Sequence, residues 1–168
     1  MIHHSAAVAR GAKKSLVVID LPFATYSSSD LPLSLRTAAP IIAEGGAHTP
    51  SALQALAEVN RLCEQMNEWV YATTRAQLQA GKRVAVLGGD HSVPYGAIRA
   101  HAEAYPGLGV LHLDAHADLR DAYEGFTWSH ASIMFNVVRR LPHVAKLVQV
   151  GIRDLGEAEM EEIQNSKG

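Results

Sequence analysis

The sequence has little cysteine, no long apolar run and no excess of positive charge, and each shortage closes off a class of protein. Cys63 stands alone, so no disulfide can form within the chain, and it reads as a packing thiol. The longest apolar stretches, such as Leu16 to Ile19, are strand-sized beside the roughly 20 residues of a membrane helix. The opening MIHHSAAVARGAKK also lacks the continuous apolar centre of a secretory signal. The expectation is a cytoplasmic location and no membrane partner. Fifteen Lys and Arg against 17 Asp and Glu give a formal charge of -2, without the basic stripe that phosphate-backbone binding needs. Nucleic acid is not an expected partner.

What is present is enough apolar material, 48% of the residues, to bury a core. A length of 168 corresponds to about one domain, below the roughly 250 residues of a complete (β/α)8 barrel. Histidine is the abundant oddity: nine residues, several within a few positions of aspartate.

Short β-branched runs predict buried strands at 14–20 (KSLVVID), 82–87, 108–113 and 146–150. Helical spacing of Leu56, Val59, Cys63, Met66 and Val70 predicts a long helix over 52–80, with Ser51 as a cap and Gly81 as its stop. Further helices are expected over 31–43, over 93–105 with Pro94 in the first turn, and over 133–141. Strands alternating with helices imply an α/β fold with a mainly parallel sheet and flanking helices, and function collects beyond the carboxyl ends of such strands.

Two motifs sit at such ends. Gly88-Gly89-Asp90-His91-Ser92 follows the strand RVAVL, and Asp114-Ala115-His116-Ala117-Asp118 follows GVLHL. An extended chain points residues 114, 116 and 118 to one side. Alone, His91 reads as a loop histidine and Asp114 as a cap; together, at two strand ends, they read as a metal site. Mixed imidazole and carboxylate groups suit Mn, Ni, Fe or Zn better than Ca or Mg.

With these residues the chain resembles the ureohydrolase family of arginase, agmatinase and formimidoylglutamase over about 53–164. GGDHS and DAHAD correspond to its first two signatures, and SHAS at 129–132 sits where the agmatinase-like branch carries a catalytic-loop histidine. The resemblance implies that His91 and Asp118 bind one metal, His116 the other, and that Asp114 bridges both. It gives His130 the role of proton shuttle or general acid; read from the residues alone, Trp128-Ser129-His130 can equally be loop packing. The implied cofactor is a divalent metal, Mn2+ foremost, with Ni2+, Fe2+ or Zn2+ as alternatives. Guanidinium carbon is a poor electrophile, and two ions about 3.5–4 Å apart can turn a shared water into hydroxide at neutral pH. The implied substrate is a small guanidino or amidine compound, and urea and an amine are the products.

The family's third signature, an Asp-x-Asp pair on a later strand end, has no counterpart: after Asp118 the only aspartates are Asp121 and Asp154. Two divalent ions carry four positive charges, against three negative ones from Asp114, Asp118 and a hydroxide. The two-ion site of the complete family is therefore expected to hold one ion here, at His91, Asp114 and Asp118, or none. Residues 4–48, with DLPF at 20–23, resemble a fragment of ketopantoate hydroxymethyltransferase, whose metal-binding aspartate Asp20 matches, although Asp20 is equally a cap or turn residue. The expected division is a short βα segment at 1–48 and the N-terminal part of a ureohydrolase-like domain at 49–168.

The expected fold is thus an incomplete three-layer α/β arrangement, and the expected activity is urea-releasing hydrolysis of a linear guanidino or amidine C-N bond, agmatine-like. The rivals are a catalytically inactive metal-binding α/β protein, truncated or chimeric, and a hydroxymethyltransferase fragment. A half-built sheet leaves an exposed edge, so self-association into a homo-oligomer is also expected.

Overall fold

A computed structural model describes residues 15–19 and 50–166. The helix expected over 31–43, Asp20, the Ser51 side chain and the junction at 48/49 lie outside the described residues. The elements run β1 (Ser15–Ile19), α1 (Pro50–Gln79), β2 (Arg83–Leu87), α2 (Pro94–Ala104), β3 (Leu108–Leu113), a 3-10 turn (His130–Ser132), α3 (Ile133–Arg140), β4 (Val144–Val150) and α4 (Glu157–Asn165).

Apolar spacing makes α1 one helix of 30 residues. Val59 and Val70 of the expected stripe are buried, joined by Asn67 and Thr74. The helix ends as expected at Gly81, whose φ of 73° is the left-handed conformation that glycine adopts without a side-chain penalty. Its N–H donates to Leu78 O at 2.9 Å, and that of Lys82 to Gln77 O at 3.0 Å. Helix α2 crosses α1 in backbone contact at Gly96: a Cβ there would stand 2.3 Å from Asn67 O. This close crossing brings Val93 and Ala97 onto Val70, Met66 and Val86.

Among the described residues both strand pairings are parallel. β1 lies beside β2 in register from Ser15↔Arg83 to Ile19↔Leu87, and β3 lies beside β4, ending at His112↔Gln149 and Leu113↔Val150. Among the described residues these are two separate two-stranded sheets rather than one. β2 and β3, expected as buried strands, are covered on one face only: Leu87, Leu111 and Leu113 are 55%, 64% and 70% exposed. The inward face of β3 and β4 carries Val110, Val144 and Leu147 against a core of Tyr95, Ala117, Ile133, Met134 and Val137.

α4 was not anticipated, because its apolar residues Met160 and Ile163 are exposed and leave no amphipathic signal. A glutamate three residues after Gly156 was the readable clue. Glu159 accepts from Gly156 N at 2.7 Å, and it also accepts from Leu119 N at 3.0 Å, which fastens α4 to the loop after β3. Among the described residues no helix is long and apolar enough to cross a membrane.

Candidate metal centre

Two loops build the site, the first held by a side chain of its own and the second by backbone groups of β4 and α3. After β2, Asp90 Oδ1 accepts from Ser92 N at 2.9 Å, a tight turn that presents His91. After β3, pairing with β4 persists for one residue, with Asp114 N donating to Val150 O at 3.1 Å. The chain then leaves the extended conformation. Asp118 has φ 54°, in the left-handed region, and its carbonyl accepts from Met134 N and Phe135 N at 3.0 and 3.1 Å, at the start of α3. Free N–H groups of that helix terminus thus hold Asp118 in a conformation uncommon for a residue with a side chain.

This turn changes which groups meet. His91 Nδ1 lies 2.6 Å from Asp118 Oδ2 and 3.5 Å from Asp114 Oδ2. His112 joins them, with Nε2 at 3.3 Å from Asp114 Oδ2 and 3.9 Å from Asp118 Oδ2. Its ring stacks on that of His91 at 5.1 Å. One ligand-type atom from each of His91, His112, Asp114 and Asp118 falls within 4.8 Å of the others. The expectation that 114, 116 and 118 share one side holds only in part: Asp114 and Asp118 meet around His91, while the backbone N–H of His116 donates to Asp114 Oδ1 at 3.0 Å. His116 lies across the Asp114 carboxylate, its Nδ1 3.4 Å from Oδ1, and its side chain is 62% exposed. Its Nε2 is 3.8 Å from Asp154 Oδ2. Asp114 therefore faces His91 and His112 with one oxygen and His116 with the other.

Sequence reasoning missed His112, although the signal was present: it stands two residues before Asp114 and shares its face of the strand.

The charges respond to one another. The hydrogen bond to Asp118 raises the His91 pKa above the ordinary histidine value, outweighing burial, with the Asp118 and Asp114 charges adding to it. Burial lowers that of His112, and repulsion from His91 adds to this against the pull of both carboxylates. Burial pushes Asp114 up, but the N–H groups of His116 and Ala115 and the neighbouring imidazoles outweigh it and hold the carboxyl below its usual range. The carboxylates of Asp114 and Asp118 with the His91 imidazole form a mixed oxygen and nitrogen donor set suited to a transition-type divalent ion, and the buried, unpartnered Nε2 of His112 faces the same volume.

His130 is not in this cluster. It is exposed, opens the 3-10 turn and meets Tyr123 edge-on at 6.2 Å. It lines a cavity of about 150 Å³ together with Val59, Cys63, Asp90, Ser92 and Trp128, so the cavity is bordered by both neighbours of His91. Burial pushes the Cys63 thiol up to about 11, which keeps it protonated at neutral pH and suits a packing role.

Comparison with known proteins places the chain in a family. A model for the arginase family matches residues 24–168. N(1)-aminopropylagmatine ureohydrolase of Thermus thermophilus is 36% identical over 137 residues, covering 79% of this chain and 46% of that protein. Mitochondrial arginase 1 of Oryza sativa subsp. indica is 46% identical over 74 residues, 44% of this chain and 22% of its own. Among solved structures, the agmatine ureohydrolase of Thermoplasma volcanium has a TM-score of 0.55 at 27% identity, covering 88% of this chain and 53% of that one. The chain thus spans under half the length of these curated relatives.

Proposed function

This chain belongs to the arginase family, and on that premise we propose that it is a divalent-metal-dependent hydrolase that releases urea from a small, linear guanidino compound of the agmatine type. The observation that carries the reading is the convergence of His91, Asp114 and Asp118 from two strand ends onto one small volume. These three would hold an ion, Mn2+ before Ni2+, Fe2+ or Zn2+. His116, across the Asp114 carboxylate, is where a second ion would find its imidazole. Such an ion supplies Lewis-acid activation of water at neutral pH, which an unreactive guanidinium carbon requires.

The chain's own residues do the rest. His130 donates the proton that lets the amine depart, a role supported by its place on the cavity bordered by Asp90 and Ser92. Asp90 and Glu124 also border this cavity, and their negative charge favours a cationic substrate there. The chain divides near 48/49, and the described strand of the first part, β1, pairs in parallel with β2 of the metal-binding part. The half-covered strands favour association with a second copy in the cytoplasm.

A second reading is favoured by the His116 side, where among the described residues the carboxylates beside the imidazole are those of Asp114 and the exposed Asp154. In that reading the chain binds metal without turnover. Urea release from agmatine and from N(1)-aminopropylagmatine, with Mn2+ or Ni2+ added, separates the two. Urea that vanishes in His116→Ala and falls in His130→Ala supports the hydrolase. Absence of urea from a chain that retains the metal overturns it.

A further inference from the structure

The cluster contains a fourth group, His112, and its surroundings decide whether it is a ligand. His112 and Gln149 are direct partners in the β3–β4 register, both on the inward face. The Gln149 side-chain nitrogen Nε2 is 2.7 Å from Ala117 O. A backbone carbonyl can only accept, so this contact fixes which end of the amide is NH2. The same nitrogen stands 2.9 Å from His112 Nδ1. Its second proton therefore points at Nδ1, which must carry a lone pair. An imidazole with a bare Nδ1 keeps its single proton on Nε2.

That Nε2 is buried, in a side chain only 3% exposed, and has no hydrogen-bond partner of good geometry. It is aimed into the carboxylates, 3.3 Å from Asp114 Oδ2. A nitrogen that bears a proton cannot ligate an ion. We propose that Gln149 locks His112 as its Nε2–H tautomer, so that His112 is a positioning residue donating to the Asp114 carboxylate and not a fourth metal ligand. The function rests on the reading of Asp114 as a ligand; the tautomer does not. Asp118 and His91 are joined by a direct contact, whereas Asp114 has no such short partner on its Oδ2, and a small rotation of the carboxylate brings that oxygen onto the waiting N–H. Outer groups of this kind orient ligating carboxylates.

Long-range 1H–15N correlation on the metal-free, 15N-labelled chain reads the tautomer directly, with His112 assigned by the signal lost in His112→Phe. A protonated Nε2 and bare Nδ1 are expected at neutral pH; a protonated Nδ1 overturns the proposal. In Gln149→Glu the introduced carboxylate faces Nδ1 with an acceptor and should draw a proton onto it. If Nδ1 stays bare there, Gln149 does not set the tautomer and the proposal falls. Pulsed EPR on the Cu2+-loaded chain then counts imidazoles. His112→Phe should leave that count unchanged while weakening Mn2+ binding about 10- to 100-fold; a count lower by one makes His112 a ligand and overturns the proposal. Failure of the chain to bind any ion would contradict the proposed metal centre, and the metal-free spectrum would still decide the tautomer.

Discussion

His91 Nδ1 sits 2.6 Å from Asp118 Oδ2, the position in which one proton holds together two groups that a divalent ion would otherwise join. Ion binding must expel that proton, so affinity is linked to pH. The contact raises the His91 pKa above the ordinary 6.5. A raised histidine pKa contributes stability that is full below the unfolded value and lost as pH rises through the folded one. The metal-free chain thus gains from this contact on the acidic side, where the ion competes worst. Mn2+ affinity should climb with pH through a window above 6.5 and then level off. Calorimetric titration from about pH 6 to about pH 9 checks it, and a flat profile contradicts it.

Removing a carboxylate should act more strongly than removing His112. Asp118→Asn keeps the volume and the carbonyl contacts to α3 but loses the charge beside His91. Mn2+ affinity is expected to fall by more than about 100-fold, beyond the range of outer-group substitutions. The His91 pKa should drop toward its ordinary value in the same variant, which NMR titration measures.

Glu159 is buried at the far side of the same loop, accepting from Leu119 N and Gly156 N and lying 3.4 Å from Arg120 Nε. Glu159→Ala leaves the Leu119 N–H without its acceptor and costs about 1–3 kcal/mol of stability. Because Leu119 follows Asp118, Mn2+ binding should weaken with it. Chemical denaturation with and without Mn2+ measures both effects.

These sites differ in how far the sequence revealed them. Periodicity located α1, its stop at Gly81, and the strand ends carrying His91 and Asp114, because apolar spacing and glycine act locally. The parallel, helix-flanked α/β arrangement was legible for the same reason. His112 and its partner Gln149 were not read, since their pairing depends on the register of β3 against β4 over 37 residues of separation. For Glu159 only the contact to Gly156, three residues away, is local; its ties to Leu119 and Arg120 span 40 and 39 positions. The left-handed turn at Asp118 is held by N–H groups of α3, which no local pattern announces.

The crossing of α1 and α2 gives a test of the scaffold apart from the site. Gly96→Ala drives a methyl onto Asn67 O and Tyr71 N, both backbone atoms that cannot step aside. Overpacking of this kind costs about 1–3 kcal/mol. Thermal melting should show a lowered midpoint, with the Mn2+ stoichiometry of the folded fraction unchanged.

The metal centre itself is tested most directly by equilibrium dialysis against Mn2+ followed by elemental analysis of the chain and three variants. The account predicts one ion per chain, kept in His116→Ala and lost in His91→Ala and Asp118→Asn. Two ions per chain at full occupancy, or one ion that survives loss of His91 and Asp118, would contradict it.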